Sequence, residues 1–299
     1  MISFVFSGQG SQYVGMASKI PVSSVKKELF TKASDFLGFD LEHLCNNGPI
    51  EELTSTDIAQ PALVTVSAIY DTLLKERNIL PGVVAGHSLG EFSALFSAEV
   101  LSFEDSLFLV RERGLLMKKA SEKAPGKMLA VIGLPDEKLK KVLEESSDKG
   151  VIVAANFNSP GQVVLSGADN AIEKAKIVAK ENGAKIVKVL NVSAPFHSPL
   201  MEPVVPEMSK FIDSVQFNKP AIPVVQNATG KVVSVVEEIK ENLKKQLTSP
   251  VLWTDSVNTM SEMGVEKFIE VGPKNVLKGL IRRTLSECKI ETVEVLLNA

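Results

Sequence analysis

Short apolar runs alternate with helically spaced stretches along the whole chain. Ile2-Ser3-Phe4-Val5-Phe6 is apolar at nearly every position and ends in Ser7-Gly8-Gln9-Gly10-Ser11-Gln12. That predicts a buried strand feeding a glycine turn. Ile58, Ala62, Val66, Ile69 and Leu73 keep helical spacing and predict a helix over 57–77. A strand at 82–85 turns through Gly86-His87-Ser88-Leu89-Gly90 into a helical pattern from Glu91 to Ala98. From Glu104 to Ala120 the predicted helix is apolar on nearly every side (Leu107, Phe108, Leu109, Val110, Leu115, Leu116, Met117) and should be buried. It also carries Arg111, Glu112 and Arg113. Buried charges need partners or a ligand, because an unpaired one costs several kcal/mol.

The rhythm changes between Lys127 and Leu190. Strands are expected at Met128–Gly133, Val151–Asn156, Gln162–Ser166 and Lys185–Leu190, with helices at Asp136–Ser146 and Asn170–Glu181. Ser159-Pro160-Gly161 makes a turn, and Asn182-Gly183 a helix stop. The order βαββαβ is the ferredoxin-like arrangement. Its position in mid-chain predicts a small inserted subdomain over 127–192, within a larger α/β unit formed by 1–126 and 193–299. That unit resumes with a strand at Ile222–Val225, a helix at 237–247, and a strand at Lys267–Val271 running into Gly272-Pro273.

Composition narrows the options. The chain has 299 residues, 44% hydrophobic and 23% charged, and a net charge of −3. It lacks the clustered cations of a bulk nucleic-acid binder. Two cysteines, Cys45 and Cys288, make no disulfide framework. His43 and Cys45 share a segment but lack two further ligands, so no metal site is expected. No run reaches the 18 apolar residues of a membrane span, and no basic flank marks a leader. A cytoplasmic location is the expectation. The first glycine turn would need glycine at position 13 to bind a dinucleotide, and Tyr13 stands there.

Chemistry concentrates at Ser88. The form G-x-S-x-G between a strand and a helix is what a nucleophile elbow requires. A serine needs a base, and histidine is the usual one near neutral pH. Of three histidines, His87 adjoins Ser88 in a turn that should send it elsewhere, and His43 lies in a short amphipathic piece. His197 remains, in a stiff loop between Pro195 and Pro199. No Asp or Glu between 88 and 197 is marked out as a third member. A Ser–His dyad oriented by a backbone carbonyl or amide and a full triad both stay open. Spacing also leaves open whether Arg111 or Arg113 faces a ligand.

Taken together the motifs resemble the malonyl-CoA:acyl carrier protein transacylase family of bacterial fatty-acid synthesis and the related acyltransferases of polyketide synthases. The marks run from residue 2 to about 285. They are Gly8-Gln9-Gly10-Ser11-Gln12, Gln60-Pro61-Ala62-Leu63, Gly86-His87-Ser88-Leu89-Gly90-Glu91, and Arg113-Gly114 with Met117. Asn156-Phe157-Asn158-Ser159-Pro160-Gly161-Gln162 and Pro195-Phe196-His197 follow. Gln246-Leu247 with Pro250 and Trp253, and Glu270-Val271-Gly272-Pro273, complete the series.

The resemblance implies an α/β-hydrolase-like core with a parallel sheet and an inserted ferredoxin-like subdomain. It implies Ser88 as the residue that takes malonyl from coenzyme A and His197 as its base. The N–H groups of Gln9 and Leu89 would form the oxyanion hole, and the Gln246 carbonyl would orient the histidine. Arg113 rather than Arg111 would bind the malonyl carboxylate, Asn156 and Asn158 would lie near the cleft, and Phe196 matches the malonyl-selecting form. Malonyl-CoA and acyl carrier protein are the implied partners, with no cofactor, no membrane, no nucleic acid and a monomeric state. The basic series Lys274, Lys278, Arg282, Arg283 has helical spacing and suits an acidic carrier. Ser7 replaces a usual proline, and Lys274-Asn275 replace a usual Gly-Lys. A serine hydrolase or thioesterase would share Ser88 and His197 but not need Arg113. A carrier-docking module without catalysis would not need the intact site.

Overall fold

The computed structural model describes the chain apart from Ala124, Ser193 and Ala299, and apart from the side chains of Glu122 and Lys123. Among the described residues, ten strands form two sheets. They are β1 (Ile2–Phe6), β2 (Val83–Gly86), β3 (Gly126–Ile132), β4 (Ile152–Ser159), β5 (Gln162–Ala168), β6 (Ile186–Val189), β7 (Val224–Gln226), β8 (Lys231–Val233), β9 (Lys267–Val271) and β10 (Lys289–Thr292).

The larger sheet has the order β10-β9-β1-β2-β7-β8. β1 lies inside it, paired in parallel with β2 and β9. Alternation sends Phe4 and Phe6 to one apolar layer and Val5 to the other, so both faces of β1 are dry. This is why the run 2–6 shows no polar alternation. Helices Thr56–Glu76, Gly90–Ser97 and Phe103–Lys123 supply the first layer, and Trp253–Glu262 and Val276–Thr284 the second. The sheet is mixed rather than wholly parallel as expected: β8 pairs antiparallel with β7. The reason is local. Gly230 takes a left-handed φ of 64° in the short link between them, and a connection that short can only return the chain antiparallel.

The smaller sheet, β4-β5-β3-β6, is antiparallel throughout, with helices Asp136–Ser146 and Asp169–Glu181 completing the ferredoxin-like βαββαβ unit. Leu129 and Val131 of β3 pack with those helices, while Met128 and Ala130 face a cavity at the larger unit. Backbone hydrogen bonds tie β4 across: Val251 N–H donates to Ala155 at 2.8 Å, and Phe157 N–H to Val251 at 3.0 Å. The expected subdomain boundary at residue 193 falls outside the described residues.

The helix Phe103–Lys123 is less buried than its sequence suggested, since Leu115 is 37% exposed. Its two arginines part company. Pro61, inside the helix Thr56–Glu76, has no N–H to give to the carbonyl of Asp57. Arg111 takes that place, donating from Nη1 to the Asp57 carbonyl at 2.6 Å and to its carboxylate at 3.0 Å. Arg111 thus repairs a defect that proline creates. Across the sheet, the buried carboxylate of Glu270 caps the helix Val276–Thr284, accepting from Leu277 and Lys278 N–H at 2.8 Å each. That fixes a helix whose Leu277 and Leu280 line the cavity.

Arg111→Leu should therefore cost stability, about 1–3 kcal/mol for an orphaned carbonyl, the Asp57 carboxylate keeping its bonds to Lys118 and Ser55. Urea unfolding measures it. The preference for one acyl group over another should not change. A shift in that preference would instead give Arg111 a role at the ligand.

Candidate active site

Parallel pairing of β1 and β2 brings their C-terminal ends to the same edge of the sheet, so the loop after Phe6 and the turn after Gly86 meet there. Ser88 sits in that turn at φ 51°, a left-handed conformation costing a non-glycine residue about 1–2 kcal/mol. The turn is tight: a Cβ on Gly86 would strike the backbone of Gly90, and one on Gly90 the carbonyl of Phe6. Asn227 holds it from behind. Its Oδ1 accepts from Ser88 N–H and its Nδ2 donates to the Gly86 carbonyl, both at 2.6 Å. Glu91 in turn accepts from Asn227 N–H at 2.8 Å and from Gln226 Nε2 at 3.0 Å. Burial raises the Glu91 carboxyl to about 7, against the pull of these donors and of Arg113.

Ser88 Oγ lies 2.7 Å from His197 Nε2, and His197 Nδ1 lies 2.8 Å from the backbone carbonyl of Gln246. A carbonyl can only accept, so Nδ1 carries the proton and Nε2 is left to accept from the serine. No acid is needed to set this tautomer. His197, itself at φ 57°, is buried in its loop. Burial first, and the charge of Arg113 second, push its imidazole down to about 3.

Arg113 is buried beside them. Nη2 donates to Ser88 Oγ at 3.3 Å and to Gln246 Oε1 at 3.0 Å, and Nη1 to Gln60 Oε1 at 2.8 Å. Its Nε–H has no acceptor among the described residues. No carboxylate among them lies within ion-pair distance of Arg113; burial lowers the guanidinium to about 10, with the more distant charge of Glu91 opposing the shift. Gln246 is fixed twice over, because its Nε2 donates to the Ser88 carbonyl at 3.0 Å.

The cavity in front of Ser88 holds about 270 Å³. Gln9, Arg113, Asn156, Asn158, Phe196 and His197 all line it. Asn156 and Asn158 share one face of β4 beside its bulge, and Asn158 Oδ1 meets His87 Nε2 at 2.7 Å. His87 thus turns away from the serine, edge-on to Trp253. Leu89 is buried at the helix start behind Ser88. The N–H groups of Gln9 and Leu89 have no acceptors among the described residues. His43 is exposed and remote from the cavity lining. No group of three or more His, Cys, Asp or Glu among the described residues could hold a metal ion.

Sequence reasoning assigned no role to Asn227, Glu91, Gln60 or the side chain of Gln246. Glu91 and Gln60 lay within recognised motifs, but nothing in a linear sequence says that these groups meet behind Ser88.

A family model described as acyl transferase domain matches residues 3–297. The malonyl CoA-acyl carrier protein transacylase of Bacillus subtilis is 41% identical over 98% of this chain and 95% of its own length. The solved structure of an acyl carrier protein S-malonyltransferase from Vibrio cholerae is 42% identical, with a TM-score of 0.92 over 97% of this chain and 96% of the other. A malonyl-transacylase solved in complex with its type II PKS acyl-carrier protein is 37% identical, with a TM-score of 0.94 over 100% of this chain and 99% of that one. With its elbow, its histidine and its buried arginine in one cavity, the chain belongs to the acyl transferase domain family, among the malonyl-CoA:acyl carrier protein transacylases.

Proposed function

We propose that this protein is a malonyl-CoA:acyl carrier protein S-malonyltransferase of fatty-acid biosynthesis, working by a ping-pong route through a seryl ester. The observation that carries the reading is Arg113, a buried guanidinium without a carboxylate partner among the described residues, 3.3 Å from Ser88 Oγ. A malonyl group brings the missing anion, and a guanidinium can hold a carboxylate with two parallel hydrogen bonds. An uncharged acyl hydrolase would have no use for it.

The reaction follows from the geometry. Ser88 Oγ attacks the thioester carbonyl as its proton passes to His197 Nε2. The carbonyl oxygen gathers negative charge towards the N–H groups of Gln9 and Leu89, donors typically worth a few kcal/mol each. The C–S bond breaks, and His197 returns the proton to the departing thiolate of coenzyme A. In the second half, His197 takes the proton of the carrier's phosphopantetheine thiol, whose sulfur attacks the ester carbonyl; the C–O bond to Ser88 breaks, and His197 returns the proton to Ser88 Oγ. The Gln246 carbonyl holds the imidazole throughout, while Asn156, Asn158 and Phe196 shape the cleft.

The proposal includes an α/β-hydrolase-like core, residues 1–126 and 193–299, interrupted by the ferredoxin-like unit 127–192. Support comes from the elbow after β2 and from the separate apolar layer of the small sheet. It also includes a monomer away from membrane and nucleic acid, acting in the cytoplasm; the free cysteines Cys45 and Cys288 support the last of these. The carrier would dock on the helix Val276–Thr284. Lys274, Arg282 and Arg283 are exposed there, and Arg283 donates to Gln162, a residue of the cavity wall, at 2.8 Å.

Incubation with malonyl-CoA alone should add one malonyl mass to the peptide holding Ser88, and Ser88→Ala should abolish it. An adduct that persists in the mutant removes Ser88 from the mechanism. Arg113→Ala should cost malonyl transfer on the order of 2–5 kcal/mol, as for a lost buried charge pair, while acetyl transfer falls far less. Equal losses for both acyl groups would make Arg113 structural.

The pH profile offers a third check. Because His197 is held at about 3, the base stays neutral across the mildly acid range, and Ser88 loading should show no acid limb at the ordinary histidine value of about 6.5. Glu91, raised to about 7, has the opposite sign for stability: its contribution is full below about 4.5 and is lost as pH rises through about 7. Any limb near 7 should vanish in Glu91→Gln. A limb near 6.5 that survives this substitution would return His197 to its ordinary value.

A further inference from the structure

The loop Gly8–Gln12 brings Gln9, the proposed oxyanion donor, to the cavity wall, and it is fastened in several ways. Ser11 ties back to the Gly8 carbonyl through both N–H and Oγ, at 3.3 and 2.7 Å. Gly10 N–H donates to Gln12 Oε1 at 2.8 Å, and Gln9 Nε2 to Thr56 Oγ1 at 3.1 Å. These ties join the loop to itself and to the helix Thr56–Glu76. Another comes from the far end of the chain. Lys274 Nζ donates to the Gly10 carbonyl at 3.2 Å, with its ammonium 6.0 Å from the centre of the Tyr13 ring. Tyr13 is itself anchored by a bond to Glu294 at 3.2 Å.

Two features set Lys274 apart. Its φ of 64° is left-handed, a conformation that favours glycine and is strained for lysine. The strain is retained at an exposed position whose side chain reaches the Gly10 carbonyl and the Tyr13 ring. The loop it meets is rich in glycine. Gly10, at φ 100°, and Gly8 flank Gln9, and glycine backbone loses the most freedom when held still. An oxyanion donor works only if it is in place before charge develops. A charged donor holds a carbonyl more firmly than a neutral one.

We infer that Lys274 is a positioning residue for the Gln9 N–H, strapping the oxyanion loop through the Gly10 carbonyl to the base of the helix Val276–Thr284. The inference rests on the transfer reaction proposed above. It differs from a docking role, because the strap should act when no carrier is present.

Ser88 loading by malonyl-CoA is followed without carrier, by rapid quench and mass measurement of the acyl-enzyme. Wild type, Lys274→Gly, Lys274→Met and Lys274→Arg are compared. Glycine accepts the left-handed backbone, so that variant should keep the fold while losing the whole side chain, and methionine keeps an apolar stem without the charge; thermal unfolding verifies that both fold. The maximal loading rate should fall about fivefold in the glycine and methionine variants, the scale of one net hydrogen bond. KM for malonyl-CoA should stay within about twofold, because only transition-state stabilisation is lost. Arginine should restore most of the rate. An unchanged loading rate in Lys274→Gly, with or without a raised KM for the carrier, overturns the inference. So does a raised KM for malonyl-CoA at an unchanged maximal rate, which would make Lys274 a contact for coenzyme A. Absence of the Ser88 adduct in the wild type would overturn the transfer reading itself, and the inference with it.

Discussion

A buried guanidinium cannot shed its charge at neutral pH, and Arg113 sets the terms for everything packed around it. The groups that touch it, Gln60 Oε1, Gln246 Oε1 and Ser88 Oγ, are neutral acceptors. They satisfy donors without cancelling charge. The positive potential that remains also reaches His197, where it adds to burial in keeping the imidazole neutral. In the proposed reaction, one residue therefore prepares the site for an anionic acyl group and helps keep the base unprotonated. Arg111, two positions earlier, shows the alternative fate of such a charge. It is matched to Asp57 and spent on the backbone.

Gln246 links these effects. Its backbone carbonyl fixes the tautomer of His197, its Oε1 accepts from Arg113, and its Nε2 donates to the Ser88 carbonyl. The amide can be oriented in only one way, since a guanidinium offers no acceptor. A neutral carbonyl in place of an acid lets His197 sit in a dry pocket without adding a second buried charge. Behind the serine, Asn227 holds the left-handed turn by hydrogen bonds to its backbone, and Glu91 in turn holds Asn227. Strain at Ser88 persists because the surroundings fix it from several sides.

The cavity exists because two sheets meet. The larger sheet delivers Ser88 and Gln9 from the ends of adjacent parallel strands. The smaller one contributes Met128, Ala130, Asn156 and Asn158 through the period-two alternation of its strands. The bonds between Val251 and β4, and between Asn158 and His87, keep the two units in register. A mostly apolar wall with a few convergent polar groups suits a thioester whose one charge has a dedicated partner.

Local patterning determined much of this in advance. The strands 2–6 and 267–271, the helix 136–146, the βαββαβ order and the strand–turn–helix around Ser88 follow from spacing and glycine placement, which act within a few residues. Elimination among three histidines pointed to His197, and the resemblance to the transacylase family pointed to Arg113. Other features were not legible because they depend on contacts across the fold. The antiparallel edge strand β8 hung on a three-residue run too short to carry a period. The exposure of Leu115 reflects which side of a helix met solvent, which composition does not record. Choosing between Arg111 and Arg113 on physical grounds required knowing that Pro61 orphans a carbonyl next to one and not the other. Whether His197 is oriented by an acid or a carbonyl required knowing that residue 246 folds back onto it. The sequence by itself determined which groups were available and how each segment would run. Tertiary structure alone decided which charges were matched, because pairing is a property of distance in space and not along the chain.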